Sequence, residues 1–122
     1  MMTARVRIMR RRGFTLVEIM IVVMIIAMLL GIAMPNFYRA RERSRQKACQ
    51  ANLVHIEAAK EEFAMDQGLP DGAPVSMSDL CPAYINAPGG LHCPAGGNYT
   101  VNPVGTPPTC DYQSTDYPHV MP

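Results

Sequence analysis

The sequence predicts an α+β protein: one long, kinked N-terminal helix, then a small C-terminal domain with a short helix and a two- or three-stranded antiparallel sheet. Three observations carry this reading. The run from Phe14 to Met34 is apolar apart from a single charge, Glu18. No glycine or proline interrupts Asn36 to Met65, and helix formers are abundant there. Beyond Gln67, glycine and proline recur every few residues and leave room only for short elements. A chain of 122 residues suffices for one small domain plus one long element, not for two cored domains.

The elements follow in order. Residues 1–13 form a basic leader with five arginines (Arg5, Arg7, Arg10, Arg11, Arg12) and no acid. Such charges attract anionic headgroups and resist translocation. Residues 14–34 are long enough as a helix, at about 1.5 Å per residue, to match a bilayer core of roughly 30 Å. Basic residues also follow the span, from Arg39 to Lys47, so flanking charge alone does not fix its orientation. Pro35 is expected to kink the helix rather than end it, because it lacks an N–H and crowds the preceding turn. Residues 35–66 then form an amphipathic half, with Cys49, Leu53, Ile56 and Phe63 on one face. The expected helix runs from about Phe14 to about Asp66, and Gly68 and Pro70 stop it.

Residues 67–122 are expected to form a small disulfide-stabilised domain. Ser76-x-x-Asp79 has the form of a capping box opening a short helix from about Met77 to Ile85. Tyr99 to Val101 reads as a strand, Gly105 to Pro108 as a turn and Thr109 to Tyr112 as a partner strand, with residues 113–122 a polar tail. The four cysteines, Cys49, Cys81, Cys93 and Cys110, all follow the apolar run. An even count in a small, exported, loop-rich region reads as two disulfides, with three connectivities possible. Cys93–Cys110 with Cys49–Cys81 is favoured, because the first ties the turns to the second strand and the second staples the short helix to the long one. One bridge and two free thiols is the alternative.

His92, Cys93, Cys110 and His119 offer metal-binding atoms, but their spacing matches no zinc template, and neither a metal nor another cofactor is expected. No convincing nucleophile or acid–base set occurs in residues 67–122, so the chain does not read as an enzyme. Net charge is +1, and loss of the five leader arginines would leave −4. An acidic mature chain argues against nucleic-acid binding as its main task, although the stripe from Arg39 to Lys47 keeps it possible. Asn98-Tyr99-Thr100 has the form of a glycosylation acceptor.

The informative stretch is Arg12-Gly13-Phe14-Thr15-Leu16-Val17-Glu18-Ile19. A secretory signal is cut after its apolar core. Here the basic leader abuts Gly13 and the apolar core comes afterwards. Cleavage between Gly13 and Phe14 would remove the charges, keep the anchor and create a new amine on Phe14. Glu18 is the anomaly. A carboxylate in an apolar span costs about 2.5–3.5 kcal/mol at the bilayer centre and less near an interface. A nearby cation offsets that cost, and the Phe14 amine, from a neighbouring subunit or its own chain, is the natural candidate.

These residues resemble the N-terminus of type IV pilins and type II secretion pseudopilins: Gly13, Phe14, Thr15, Leu16, Glu18 and Pro35, with basic residues before the glycine. The resemblance is close over residues 10–53 and general beyond. It implies cleavage after Gly13 by a prepilin peptidase, N-methylation of Phe14, and docking of each subunit through Glu18. It implies a precursor held once across a bacterial inner membrane, then a periplasmic or extracellular helical homopolymer. The helix from residue 14 to 34 would form the filament core, with Pro35 marking where the bundle gives way to the outer domain. A platform protein and an ATPase would drive extraction from lipid. Pseudopilins often carry calcium in a C-terminal loop. With only Asp111 and Asp116 there, a pilus or competence-type filament is favoured, and a low-abundance DNA-binding or adhesive subunit is the alternative.

Overall fold

The computed structural model describes residues 10–122. Most of the basic leader, residues 1–9, lies outside the described residues. The element order is α1 (Leu16–Gln67), α2 (Met77–Leu80), β1 (Tyr99–Thr100) and β2 (Thr109–Cys110), an α+β arrangement. The chain divides into two units, Met1–Phe37 and Tyr38–Pro122.

In the first unit, Arg10 to Phe14 has no regular structure and α1 starts at Leu16 rather than at the expected Phe14. Thr15 is the reason. Its carbonyl accepts from the Ile19 N–H at 3.3 Å, and its Oγ1 accepts from the Glu18 N–H at 3.2 Å. Thr15 therefore caps the helix, satisfying one of the N–H groups that a first turn leaves orphaned. Pro35 lies inside α1 and cannot donate to the carbonyl of Gly31. No residue from Arg10 to Arg41 is buried by the chain itself. Among the described residues, α1 is the one helix long and apolar enough to cross a membrane.

The second unit packs its core on the outer part of α1. Cys49, Leu53 and Ile56 are fully buried there, at the i, i+4, i+7 spacing of one helix face. Phe63, half-buried, meets Tyr84 edge-on with ring centroids 5.6 Å apart. One cluster gathers Ile56, Ala59, Leu80, Ile85 and Val101. A second gathers Cys49, Leu53 and Cys93, with Tyr99, Cys110, Tyr112 and Met121 against them.

Helix α2 is shorter than expected. Asp79 Oδ2 accepts from the Ser76 backbone N–H at 2.9 Å and from Ser76 Oγ at 2.6 Å, which starts the helix as the capping box requires. The helix then ends at Leu80, because Pro82 disfavours helical geometry at Cys81, which is extended (φ −104°, ψ 138°). The sheet has two strands of two residues, antiparallel, with Tyr99 opposite Cys110 and Thr100 opposite Thr109. Both strands are shorter than the sequence suggests. Asn102 at φ 59° turns the chain out of β1, and its side-chain amide donates to the Pro107 carbonyl at 2.8 Å, closing the connection.

Lys60 is the unexpected core residue. It is completely buried, its Nζ donating to the carbonyls of Val101, at 3.1 Å, and Thr106 and pairing with Glu57 Oε2 at 2.7 Å. One ammonium group thereby ties the loop after β1 to α1.

Candidate functional site

The N-terminal motif sits at the boundary between irregular chain and helix. Gly13 is exposed and lies in the unstructured stretch. A Cβ added to it would meet nothing within 4 Å, and its φ is not in the left-handed region. The fold therefore imposes no requirement for glycine at this position. Exposed backbone without regular structure is the kind of segment a peptidase can engage.

Phe14 follows, 81% exposed. It lies outside the helix, so it is not one helical turn from Glu18 on a common face. Glu18 occupies the first turn of α1, where the positive end of the helix dipole favours a carboxylate. It is exposed, and among the described residues no cation pairs with it. From Phe14 to Met34 the large apolar side chains are between 48% and 81% exposed. Such a surface in water would be strongly unfavourable, at about 25 cal/mol per Å². Lipid or sister helices can cover it, since its backbone groups bond within the helix.

The cysteines do not fall as expected. All four are free. Cys81 packs in the cluster around Ile56 and Leu80, whereas Cys49 lies in the other cluster. The expected Cys49–Cys81 bridge thus has no counterpart. Cys93 and Cys110 do come together, unbonded, with Cys49 as a third member and His119 as a fourth. One side-chain donor atom from each lies within 4.8 Å of all the others. His92, grouped with them by sequence, is exposed and outside the set.

Each member arrives from a different segment: Cys49 from α1, Cys93 from the turn before β1, Cys110 from β2 and His119 from the tail. The tail is not a loose polar end. Gln46 Nε2 donates to the Pro118 carbonyl at 2.9 Å, the Tyr112 and His119 rings lie 4.6 Å apart, and His119 is 2% exposed. His119 Nδ1 lies 3.2 Å from Cys93 Sγ, while Nε2 is buried with no hydrogen-bond partner.

Burial shapes the titration of the group. It pushes the Cys49 thiol up to about 12, against a hydrogen bond from Tyr99 that favours the thiolate. It also raises Cys110 and lowers His119. Burial acts upward on Cys93 too, but the Ala95 and Gly97 backbone N–H groups and the neighbouring thiols outweigh it, so Cys93 lies below the ordinary thiol value. Sequence reading missed Lys60, Thr15 as a cap and Cys49 beside His119. For Thr15 a signal existed, since Thr15-x-x-Glu18 is itself a capping-box pattern.

Comparison with known proteins follows the N-terminal motif outward. A family model, the prokaryotic N-terminal methylation motif, matches residues 8–34. The chain is similar to the type IV major pilin protein PilA of Myxococcus xanthus, 48% identical over 54 residues, or 44% of this chain and 24% of that protein. It is similar to the type II secretion system core protein G of Klebsiella pneumoniae, 30% identical over 88 residues, or 72% of this chain and 63% of that protein. It is also similar to the competence protein ComGC of Halalkalibacterium halodurans, 35% identical over 90 residues, or 73% of this chain and 82% of that protein. The chain thus spans about a quarter of that PilA and somewhat under two thirds of that protein G. No solved structure matches it.

Proposed function

The chain belongs to the family of type IV pilins, type II secretion pseudopilins and ComGC proteins, and on that premise we propose that it is the structural subunit of a type IV pilus or related pseudopilus. The observation that carries this is the uncovered apolar helix surface from Phe14 to Met34 directly after a basic leader and Gly13. Lipid solvates that surface before assembly and sister helices bury it afterwards, so little apolar area meets water in either state. A prepilin peptidase cuts after Gly13 and the new Phe14 amine is methylated. Glu18 meets that amine on a neighbouring subunit. A platform protein and an ATPase move the subunit from the inner membrane into a periplasmic or extracellular filament.

Intact-mass spectrometry of purified filaments tests the processing. The expected chain begins at Phe14 and carries one added methyl group, and Gly13→Val is expected to leave the full-length precursor in the membrane. A filament subunit that still begins at Met1 overturns the proposal. The open space around Gly13 makes the variant informative, because a fold defect does not explain its failure.

A competence-type filament is the second reading. The 82% share of a ComGC protein that the chain spans favours it. Arg43 and Lys47 are exposed on one face of α1, whereas Arg45 is engaged with Glu42 at 3.1 Å. If the filament captures DNA through that face, the double variant Arg43→Ala, Lys47→Ala loses salt-dependent DNA retention while filaments still form. Unchanged retention by such filaments rejects this reading.

A further inference from the structure

We propose that Cys49, Cys93, Cys110 and His119 form a structural zinc site that pins the four segments of the C-terminal unit together. A tetrahedral zinc ion takes thiolates at about 2.3 Å and imidazole nitrogen at about 2.0–2.1 Å, which sets its donors roughly 3.5–4 Å apart. The four donor atoms, mutually within 4.8 Å, already lie near that size. Cys49, Cys93 and His119 are 0%, 4% and 2% exposed, so the site is closed, as structural zinc sites are.

Polar groups also surround the sulfurs. The Tyr99 hydroxyl lies beside Cys49, the Ala95 and Gly97 backbone N–H groups beside Cys93, and the Tyr112 backbone N–H beside Cys110. Asn52 Nδ2 in turn donates to the Tyr99 hydroxyl oxygen at 3.1 Å, leaving its proton for the sulfur. Such outer partners orient ligands and stabilise their charge. Gly97 is required for the close approach, since a Cβ there would lie 2.9 Å from Cys110 Sγ and 2.7 Å from Tyr112 Cβ.

A disulfide explains the group less well. A bridge between any two of the three sulfurs leaves the third thiol and the His119 imidazole over. A tetrahedral ion uses all four donors and leaves none over. On binding, Zn²⁺ displaces the three thiol protons, giving a complex of net charge −1. A groove of about 540 Å³, lined in part by Cys110, Gln113 and His119, lies beside the group. The unit has a small core, and small cores of this kind are commonly stapled by a metal or by disulfides.

The test uses the full-length chain in detergent, reduced, stripped with a chelator and titrated with Co²⁺ and then Zn²⁺. One Co²⁺ per chain is expected, with the ligand-field bands of a tetrahedral ion and thiolate charge-transfer intensity for three sulfurs, displaced stoichiometrically by Zn²⁺. Cys93→Ser and His119→Gln are expected to weaken zinc affinity beyond the roughly 10–100-fold that loss of an outer partner costs, and Tyr99→Phe to fall within that range. Cys81→Ser is expected to bind as wild type does. The wild-type cobalt spectrum decides the matter even if a ligand variant misfolds. No tetrahedral spectrum from protein with free thiols overturns the site. So does wild-type-like binding by the ligand variants, or a Cys93–Cys110 disulfide in protein that takes up no metal after reduction.

Discussion

Glu18→Ala is expected to leave membrane insertion and cleavage intact and to reduce filament yield at least ~100-fold. A carboxylate deep in an apolar environment costs on the order of 2.5–3.5 kcal/mol, and each 1.36 kcal/mol is tenfold in an equilibrium. In the proposed filament, a neighbouring chain's cation that offsets this cost would bias docking toward one register by up to about two orders of magnitude. Glu18 is exposed and unpaired by any cation among the described residues, so the partner has to come from outside them. Alanine removes the carboxylate, makes the span more apolar, and takes the register signal away. Thr15 and the helix N-terminus keep their cap, because the Glu18 backbone N–H, not its side chain, is the donor. The check is the ratio of sheared filament to membrane-bound subunit, with Glu18→Asp expected to fall between. Wild-type yield from Glu18→Ala removes Glu18 from the docking step.

Lys60→Met is expected to destabilise the second unit by about 2–4 kcal/mol. Methionine fills much of the same space but leaves the Val101 and Thr106 carbonyls without their donor. Each buried group left unsatisfied costs on the order of 1–3 kcal/mol. Glu57 loses its partner too: its Oε2 is buried and has no other partner, although the side chain as a whole is 20% exposed and can turn toward water. Glu57→Gln is accordingly expected to cost under ~1 kcal/mol. Thermal unfolding of the two variants in the same detergent separates the contributions, with Lys60→Met expected to melt at least ~10 °C lower. Equal losses would assign the stabilisation to the ion pair instead of the carbonyls.

Much of the helix was legible because its signals are local. The apolar run, the freedom from glycine and proline after Pro35, and the spacing of Cys49, Leu53 and Ile56 all act within a few turns. The Gly13–Glu18 motif was legible for the same reason, as residues adjacent in sequence carry it. Partner choice across long separations was not. Lys60 shares the face of Ile56, yet a charged side chain reads as solvated until acceptors 41 and 46 residues away close over it. Cys49 was assigned to Cys81 because spacing gives no distance in space, and the two pack in different clusters. His119 lay in a segment rich in polar residues and proline. Its burial depends on Gln46 holding Pro118, a contact 72 residues apart. Strand β1 and helix α2 were overextended because Asn102 and Pro82 end them through backbone geometry that propensity does not resolve.

No residue from Arg10 to Arg41 is buried by its own chain, and this has a genetic consequence. A substitution in the core around Leu53 or Lys60 spoils the folding of the subunit that carries it, and a cell that also makes the normal copy is spared: the allele is recessive. In the filament proposed above, a substitution on the uncovered helix leaves its bearer folded and free to enter the polymer, where it would meet normal copies. On that reading the same gene divides into a dominant stretch and a recessive one, with the border after Arg41.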